Sequence, residues 1–286
     1  MIDIHVHTSN GVMWNLHTKT ATLDDLEGYA EKHGIEKFVL LATYFPYKKS
    51  GVPNHELLRR IGERDKFFIF ASLDAMNNLK EGTRELRELA GKGIVKGIKL
   101  YPGYQNFRLR DENLFPIYEL AAERNLPIAV HSGELHHCCP VDVTTGRREK
   151  CGGRCYIDEQ GDFAHPREVL HAARRFPEVK FLMCHLGNPF FSELRDVMRE
   201  CPNVYTDTSG QFTSGTDEDS PEYRFILAGE MREFLKLPNG SERVIFGSDF
   251  PIQSYEDSIA LIKSLGLPKE VEENIFHRNA RKLLNI

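Results

Sequence analysis

The chain alternates between short apolar runs and amphipathic segments along its whole length, and this alternation limits the folds that it can adopt. Each run is nearly continuous in Val, Ile, Phe and Leu, which is typical of parallel strands that are covered on both faces. The segments between them place apolar residues at helical spacing, so the pattern predicts repeated βα units. The strand candidates are residues 2–7, 38–44, 67–73, 97–101, 127–131, 180–185, 204–208 and 244–249.

Several of the intervening segments have recognisable helix ends. Thr22 and Asp25 have the spacing of a capping box, and Gly34 is placed to end the helix that follows. Two closing helices are predicted at residues 257–264 and 271–284. Eight βα units in one chain indicate an α/β fold, a (β/α)8 TIM barrel, as a single domain over residues 1–286.

Side chains that bind metals stand at the ends of five of these strand candidates. His5 and His7 are two residues apart on the first strand, so their side chains project to the same face. A barrel brings the carboxyl ends of its strands to one rim, where catalytic groups of this fold lie. Imidazole and carboxylate ligands together suit zinc, manganese, iron or cobalt. The remaining candidates are Lys99, His131, His185 and Asp249.

Five motifs in this order resemble those of the amidohydrolase superfamily. The likeness is greatest to its amidohydrolase-2 branch of metal-dependent hydrolases and decarboxylases, and it covers nearly the whole chain except a cysteine-bearing insertion. The motifs are IDIHVH at residues 2–7, GIKLYP at 97–102, VHSG at 130–133, HLGN at 185–188 and FGSDFP at 246–251.

The resemblance implies a role for each strand-end residue. His5 and His7 would bind the more buried metal, and Asp249 would be a ligand that also accepts the proton of a metal-bound water. His131 would be a further ligand. His185 would bind a second metal in two-metal members, or polarise the substrate in one-metal members. Asp249 and His185 are therefore the expected catalytic residues.

Lys99 stands where two-metal members of the family carry a carboxylated lysine, and three interpretations of it remain open. It could be a carbamate that bridges two ions, an ammonium that binds a substrate carboxylate, or a strand-end lysine that extends into solvent. One or two ions are therefore expected at the rim. Zinc is the first expectation, with manganese, iron and cobalt as alternatives.

The expected activity is hydrolysis of a C–N or C–O bond in an amide, cyclic amide, lactone or ester. Metal-activated water would attack a small, carboxylated molecule. The enzymatic alternative is non-oxidative decarboxylation of an aromatic or unsaturated acid at the same site. An alternative of another class is a non-catalytic metal-binding scaffold, although a scaffold has no need of a water-activating carboxylate at Asp249.

The insertion after the fifth strand, at about residues 134–164, departs from the family pattern. Glycines between its second pair of cysteines would let a loop fold tightly around an ion. We interpret the insertion as a zinc site of four thiolates, with free thiols or a redox pair as the alternative. The cysteines are Cys138, Cys139, Cys151 and Cys155, and His136 or His137 could replace one of them. The two remaining cysteines, Cys184 and Cys201, are interpreted as structural, with Cys184 facing away from His185.

Candidate substrate contacts lie on loops at the carboxyl ends of the strands. Tyr101 and Arg108 are the substrate-binding candidates, because an aromatic ring and a cation there would suit an anionic, carboxylate-bearing molecule. Each charge could equally be ordinary solvated surface, and the aromatic rings could pack loops against the barrel. Further cations on these loops are Lys48, Lys49, Arg110, Arg147, Arg148 and Arg154.

Composition limits the partners and the location of the chain. A net charge of −5 gives no reason to expect a nucleic acid or an anionic membrane as partner. The sequence has no apolar stretch of the roughly 20 residues that span a bilayer, and no signal-peptide pattern precedes its first strand. We therefore expect a cytoplasmic protein with thiols rather than disulfides. Barrels of this kind often pair, so a homo-oligomer is also considered.

Overall fold

Eight parallel strands pair in chain order in the computed structural model, which describes residues 1–9, 11–13, 16–44, 51–136 and 161–286. The predicted order of eight strands is confirmed. The strands are β1 Ile2–Val6, β2 Lys37–Leu41, β3 Phe67–Ala71, β4 Val95–Leu100, β5 Ile128–Val130, β6 Phe181–Met183, β7 Val204–Asp207 and β8 Val244–Ile245.

Hydrogen bonds between the first and last strand segments close the sheet into a barrel. The His7 N–H donates to the Phe250 carbonyl at 2.8 Å, and the Asp249 N–H donates to the His5 carbonyl at 2.9 Å. The barrel is therefore joined directly through residues of the two predicted ligand motifs.

Helices alternate with the strands and cover the sheet. The predicted capping box is confirmed, since Thr22 and Asp25 each accept from the other's backbone N–H. The helices in the described residues are α1 Leu23–His33, α2 Asn54–Ile61, α3 Leu79–Leu89, α4 Phe115–Arg124, α5 Val169–Arg175, α6 Phe191–Glu200, α7 Pro221–Leu235, α8 Tyr255–Lys263, α9 Lys269–Glu273 and α10 Asn279–Leu284. None of them is both long enough and apolar enough to cross a membrane.

The second closing helix, predicted at residues 271–284, is confirmed, and it contains a π-helical turn. One π-helical turn, Asn274–Arg278, separates α9 from α10. This turn frees the Ile275 carbonyl, which accepts from the Phe246 N–H at 2.9 Å. The side chain of Asn279 then donates to the Val244 carbonyl at 2.8 Å. The π-helical turn thus joins the C-terminal helix to β8.

Apolar side chains separate into an outer and an inner set. Phe38 and Leu40 pack with helix residues such as Leu26, whereas the alternating residues Val39 and Leu41 belong to another cluster. Because successive strand residues face opposite sides, the second set lines the barrel interior. This apolar interior supports the polar residues at the strand ends.

Candidate metal-dependent active site

His5, His7 and Asp249 come together at the carboxyl end of the barrel. The Nε2 atoms of His5 and His7 each lie 3.4 Å from Asp249 Oδ1. One ligand atom from each of the three residues lies within 4.8 Å of the others. Two imidazoles and a carboxylate at this spacing fit a divalent ion of the zinc class.

Asp207, at the end of β7, fixes the orientation of the His5 ring. Its Oδ2 lies 3.0 Å from His5 Nδ1, and its Oδ1 accepts from the His185 N–H at 2.9 Å. A carboxylate accepts only, so His5 Nδ1 carries the hydrogen and the Nε2 lone pair is directed at Asp249. A metal-binding histidine commonly donates its other ring N–H to a carboxylate in this way, and Asp207 would have that role for His5.

Asp3 joins the two strand segments that carry the first three ligands. Its Oδ1 accepts from the His5 N–H at 3.1 Å and from the Ser248 N–H at 3.0 Å. Its Oδ2 accepts from the Ser248 hydroxyl at 2.5 Å. Burial raises the pKa of Asp3 to about 7, and burial also raises that of Asp249 to about 8.

His131 and His185 form a second pair of imidazoles beside this group. His185 Nε2 lies 3.2 Å from His131 Nδ1. The other nitrogen of each ring lies near a backbone carbonyl, that of Ser209 at 3.2 Å and that of Glu134 at 3.1 Å. Because a carbonyl only accepts, the hydrogens belong on those outer nitrogens and two lone pairs face each other. A cation or a proton between them would satisfy both rings.

His185 reaches the site because the backbone leaves the strand before it. β6 ends at Met183, and His185 has a left-handed φ of 63°. Burial lowers the pKa of both His185 and His131 well below the ordinary value, which keeps the two imidazoles neutral. Neutral imidazole is the form that binds metals.

The prediction that Cys184 faces away from His185 is wrong. Strand alternation points Cys184 into the barrel, and the left-handed turn then returns His185 to the same side. Ligand atoms of His5, Cys184 and His185 lie within 4.8 Å of one another. Cys184 is therefore part of the site, beneath the imidazoles.

Lys99 is fully buried, which rules out the interpretation that it extends into solvent. Its Nζ donates to Cys184 Sγ at 3.0 Å and lies 5.0 Å from the centre of the Tyr101 ring. The carbamate and the substrate-binding ammonium both stay as hypotheses. Either would place a charge at the floor of the site.

The two substrate-binding candidates have partners within the protein. The Tyr101 hydroxyl donates to the Ala42 carbonyl at 3.0 Å. The Arg108 guanidinium donates to Glu168 at 2.8 Å and lies 4.0 Å from the centre of the Phe163 ring. Their roles toward a substrate stay predictions.

The predicted zinc site on the insertion lies outside the described residues. These residues are Cys138, Cys139, Cys151 and Cys155, together with His137.

Three supporting residues were not identified from the sequence: Asp3, Asp207 and Ser209. Ser209 contacts both His5 Nδ1 and His185 Nδ1 through its hydroxyl, at 3.0 and 2.9 Å. For Asp207 and Ser209, the available signal was the run of polar and small residues Thr206–Gly210 at the end of β7, because polar residues at a strand end of this fold face the rim. Gly210, the last residue of this run, leaves room for the Asp249 side chain, because a Cβ at residue 210 would lie 2.5 Å from Asp249 Oδ2.

Solved structures with this fold match the chain over 94–100% of its length. A probable 2-pyrone-4,6-dicarboxylic acid hydrolase from Acinetobacter baumannii, with citric acid bound, is 15% identical and has a TM-score of 0.67 over 100% of this chain and 99% of that one. An amidohydrolase from Burkholderia multivorans with bound zinc is 14% identical, with a TM-score of 0.67 over 100% and 99%. The 5-carboxyvanillate decarboxylase of Sphingomonas paucimobilis is 15% identical, with a TM-score of 0.65 over 94% and 84%.

A family profile identifies the chain more directly than these distant structures. No protein of curated function matches the sequence. The profile described as Amidohydrolase matches residues 2–286, which include every strand of the barrel and all the strand-end ligands. The chain therefore belongs to the amidohydrolase family of enzymes, in its amidohydrolase-2 branch.

Proposed function

We propose that the protein is a metal-dependent hydrolase that cleaves a C–N or C–O bond in a small carboxylated molecule. The observation that supports this most is the convergence of His5, His7 and Asp249, with Asp207 behind His5. His5, His7 and Asp249 would hold the ion. A bound divalent ion supplies Lewis acidity and lowers the pKa of water from about 16 to about 7.

The surrounding residues would then divide the proton transfers between them. Asp249 is the expected proton acceptor, because its carboxylate lies among the residues that would hold the ion and the water that it activates. His185 would bind a second ion through its Nε2 lone pair or, in a one-metal site, polarise the substrate oxygen that gains negative charge. Lys99 would stabilise negative charge at the floor of the site, either directly as an ammonium or, as a carbamate, by helping to hold a second ion.

Zinc is the proposed metal, with manganese, iron or cobalt as alternatives. The amidohydrolase from Burkholderia multivorans contains zinc and shares the fold. The facing lone pairs of His131 and His185 support a second ion beside the first. A further zinc on the cysteine insertion stays a separate hypothesis, as does the cytoplasmic location.

A carboxylated substrate is proposed from the chemistry of the site and from two structures with the same fold. Their names give a dicarboxylic acid hydrolase and a carboxyvanillate decarboxylase. The second of these keeps decarboxylation of an aromatic acid as the alternative reaction. Release of CO2 without uptake of water would identify it.

The test is turnover of a substrate panel by wild type and by Asp249→Asn, with metal per chain measured by elemental mass spectrometry. The panel contains carboxylated lactones, cyclic amides and esters beside hydroxylated benzoic acids. We expect hydrolysis by the metal-loaded wild type and a loss of several orders of magnitude in Asp249→Asn. Full turnover by Asp249→Asn, or a wild type that takes up no metal on reconstitution, would refute the mechanism.

A further inference from the structure

Helix α7 exposes an apolar face on the outside of the barrel. Phe225 is 80% exposed and Ile226 is 54% exposed, and they are two of the four large apolar side chains exposed among the described residues. Exposed apolar side chains that adjoin each other mark interaction sites more often than scattered ones do. Gly229 lies one turn further on, and no atom lies within 4 Å of the position that its Cβ would occupy.

Helix α7 packs firmly on the barrel through the side opposite to this face. Leu227, Met231 and Phe234 bury its opposite side against the barrel. The Ser220 hydroxyl caps its first turn by accepting from the Tyr223 N–H at 3.1 Å. Arg224 donates to Asp257 at 2.6 Å and so ties the first turn to α8.

The exposed face follows the spacing of a helix-pairing stripe. Glu222, Phe225, Gly229 and Arg232 recur at intervals of three and four residues and are all exposed. When two copies of a helix cross antiparallel about a two-fold axis, residues that are equally far from the midpoint of the contact, on opposite sides of it, face each other. Glu222 would then face Arg232 of a second copy, and Phe225 would face the gap at Gly229.

The charges favour a second copy in the antiparallel direction. With parallel helices, Glu222 would face Glu222 and Arg232 would face Arg232, which is repulsive at both ends. The antiparallel pair instead makes two opposite-charge contacts and places two Phe225 rings over two glycines. Such a surface is self-complementary, as a two-fold interface requires.

We propose that α7 is a homodimer surface on which two copies of this chain cross antiparallel, with Phe225 of each seated against Gly229 of the other. Glu222 and Arg232 set the register of the pair. The exposed Phe225 ring supplies most of the apolar area, so it is the expected hot spot.

The test is sedimentation velocity of the full chain between about 1 and 100 µM. We expect a wild-type dimer that Phe225→Asp weakens at least about 100-fold, since each dimer contains two copies of the contact. Helical circular dichroism is expected to stay unchanged, because the side chain is exposed. A wild type that stays monomeric, with the face left for another partner, would overturn the proposal, and so would a dimer that Phe225→Asp leaves intact.

Charge reversal tests the register. Glu222→Arg and Arg232→Glu should each weaken the dimer, and the double variant should restore it. The matched controls are Glu88→Arg and Arg84→Glu, an exposed pair 3.0 Å apart on α3, which should have no effect. A double reversal that fails to restore the dimer would contradict the antiparallel arrangement.

Discussion

Asp207 Oδ2 lies 3.0 Å from Nδ1 of His5, a residue 202 positions away in the chain. Because Asp207 holds the Nδ1 side of the ring, the other nitrogen, Nε2, faces Asp249. The contact also connects β7 to β1 across the barrel, so the orientation of the first predicted ligand depends on a residue outside the predicted ligand set.

We expect Asp207→Asn to weaken metal binding by about 10–100-fold, because an amide at this position supports the imidazole less well than a carboxylate. The dissociation constant for zinc would be measured by competition with a chelating dye. Asp217→Asn, at an exposed position of the β7–α7 segment, is the control and should bind as wild type does. Unchanged affinity in Asp207→Asn would mean that His5 needs no such support.

Gly210→Ala should remove metal binding and activity together. A Cβ at residue 210 would lie 2.5 Å from Asp249 Oδ2 and 2.9 Å from His185 Nδ1, so the two side chains would have to move. Gly215→Ala separates this clash from backbone strain, since Gly215 also has a positive φ, of 79°, but no atom within 4 Å of its Cβ position. Metal content by elemental mass spectrometry should fall only in Gly210→Ala.

Metal affinity should rise with pH and level off near pH 8. Burial raises the pKa of Asp249 to about 8, so below that pH the metal-free carboxyl carries a proton that binding must displace. One released proton corresponds to about a tenfold gain in affinity per pH unit. Chelator competition between pH 6 and about pH 9 measures the slope. In Asp249→Asn the slope should flatten, and a flat wild-type profile would contradict the assignment.

Cys184→Ala should destabilise the metal-free protein by about 1–3 kcal/mol, because it leaves the buried Nζ of Lys99 without the sulfur that accepts from it. Cys201→Ala is the control, since it removes another buried thiol that is far from the site in the fold, at the end of α6. Urea unfolding monitored by circular dichroism gives both values. Equal losses in the two variants would show that the contact with Lys99 contributes nothing.

The sequence was sufficient to predict the barrel and the strand ends that carry the ligands. His5 and His7 could be placed on one face because strand alternation is a local rule. His185 departs from that rule and faces the same side as Cys184, since its left-handed φ follows from a turn that no periodicity encodes. The predicted strands also ran past the observed ends, because the paired ladder stops where the chain turns toward the rim.

The supporting residues were harder to predict for another reason. Asp207 and Ser209 are ordinary polar residues until the partners of their oxygens are known. Those partners lie on other strands, so they depend on the register of the closed barrel. Arg108 shows the converse, since a cation that suits a substrate carboxylate lies against Glu168 of its own chain.

The bonds that close the barrel between β1 and β8 are also the bonds that assemble the ligands. Asp249 donates to the His5 carbonyl, and Asp3 accepts from Ser248 across the same seam. An ion held by His5, His7 and Asp249 would cross-link the two ends of the fold, joining segments more than two hundred residues apart. Opening the seam would separate the ligands, so binding of the ion would stabilise the closed barrel over any form in which these two strands have parted.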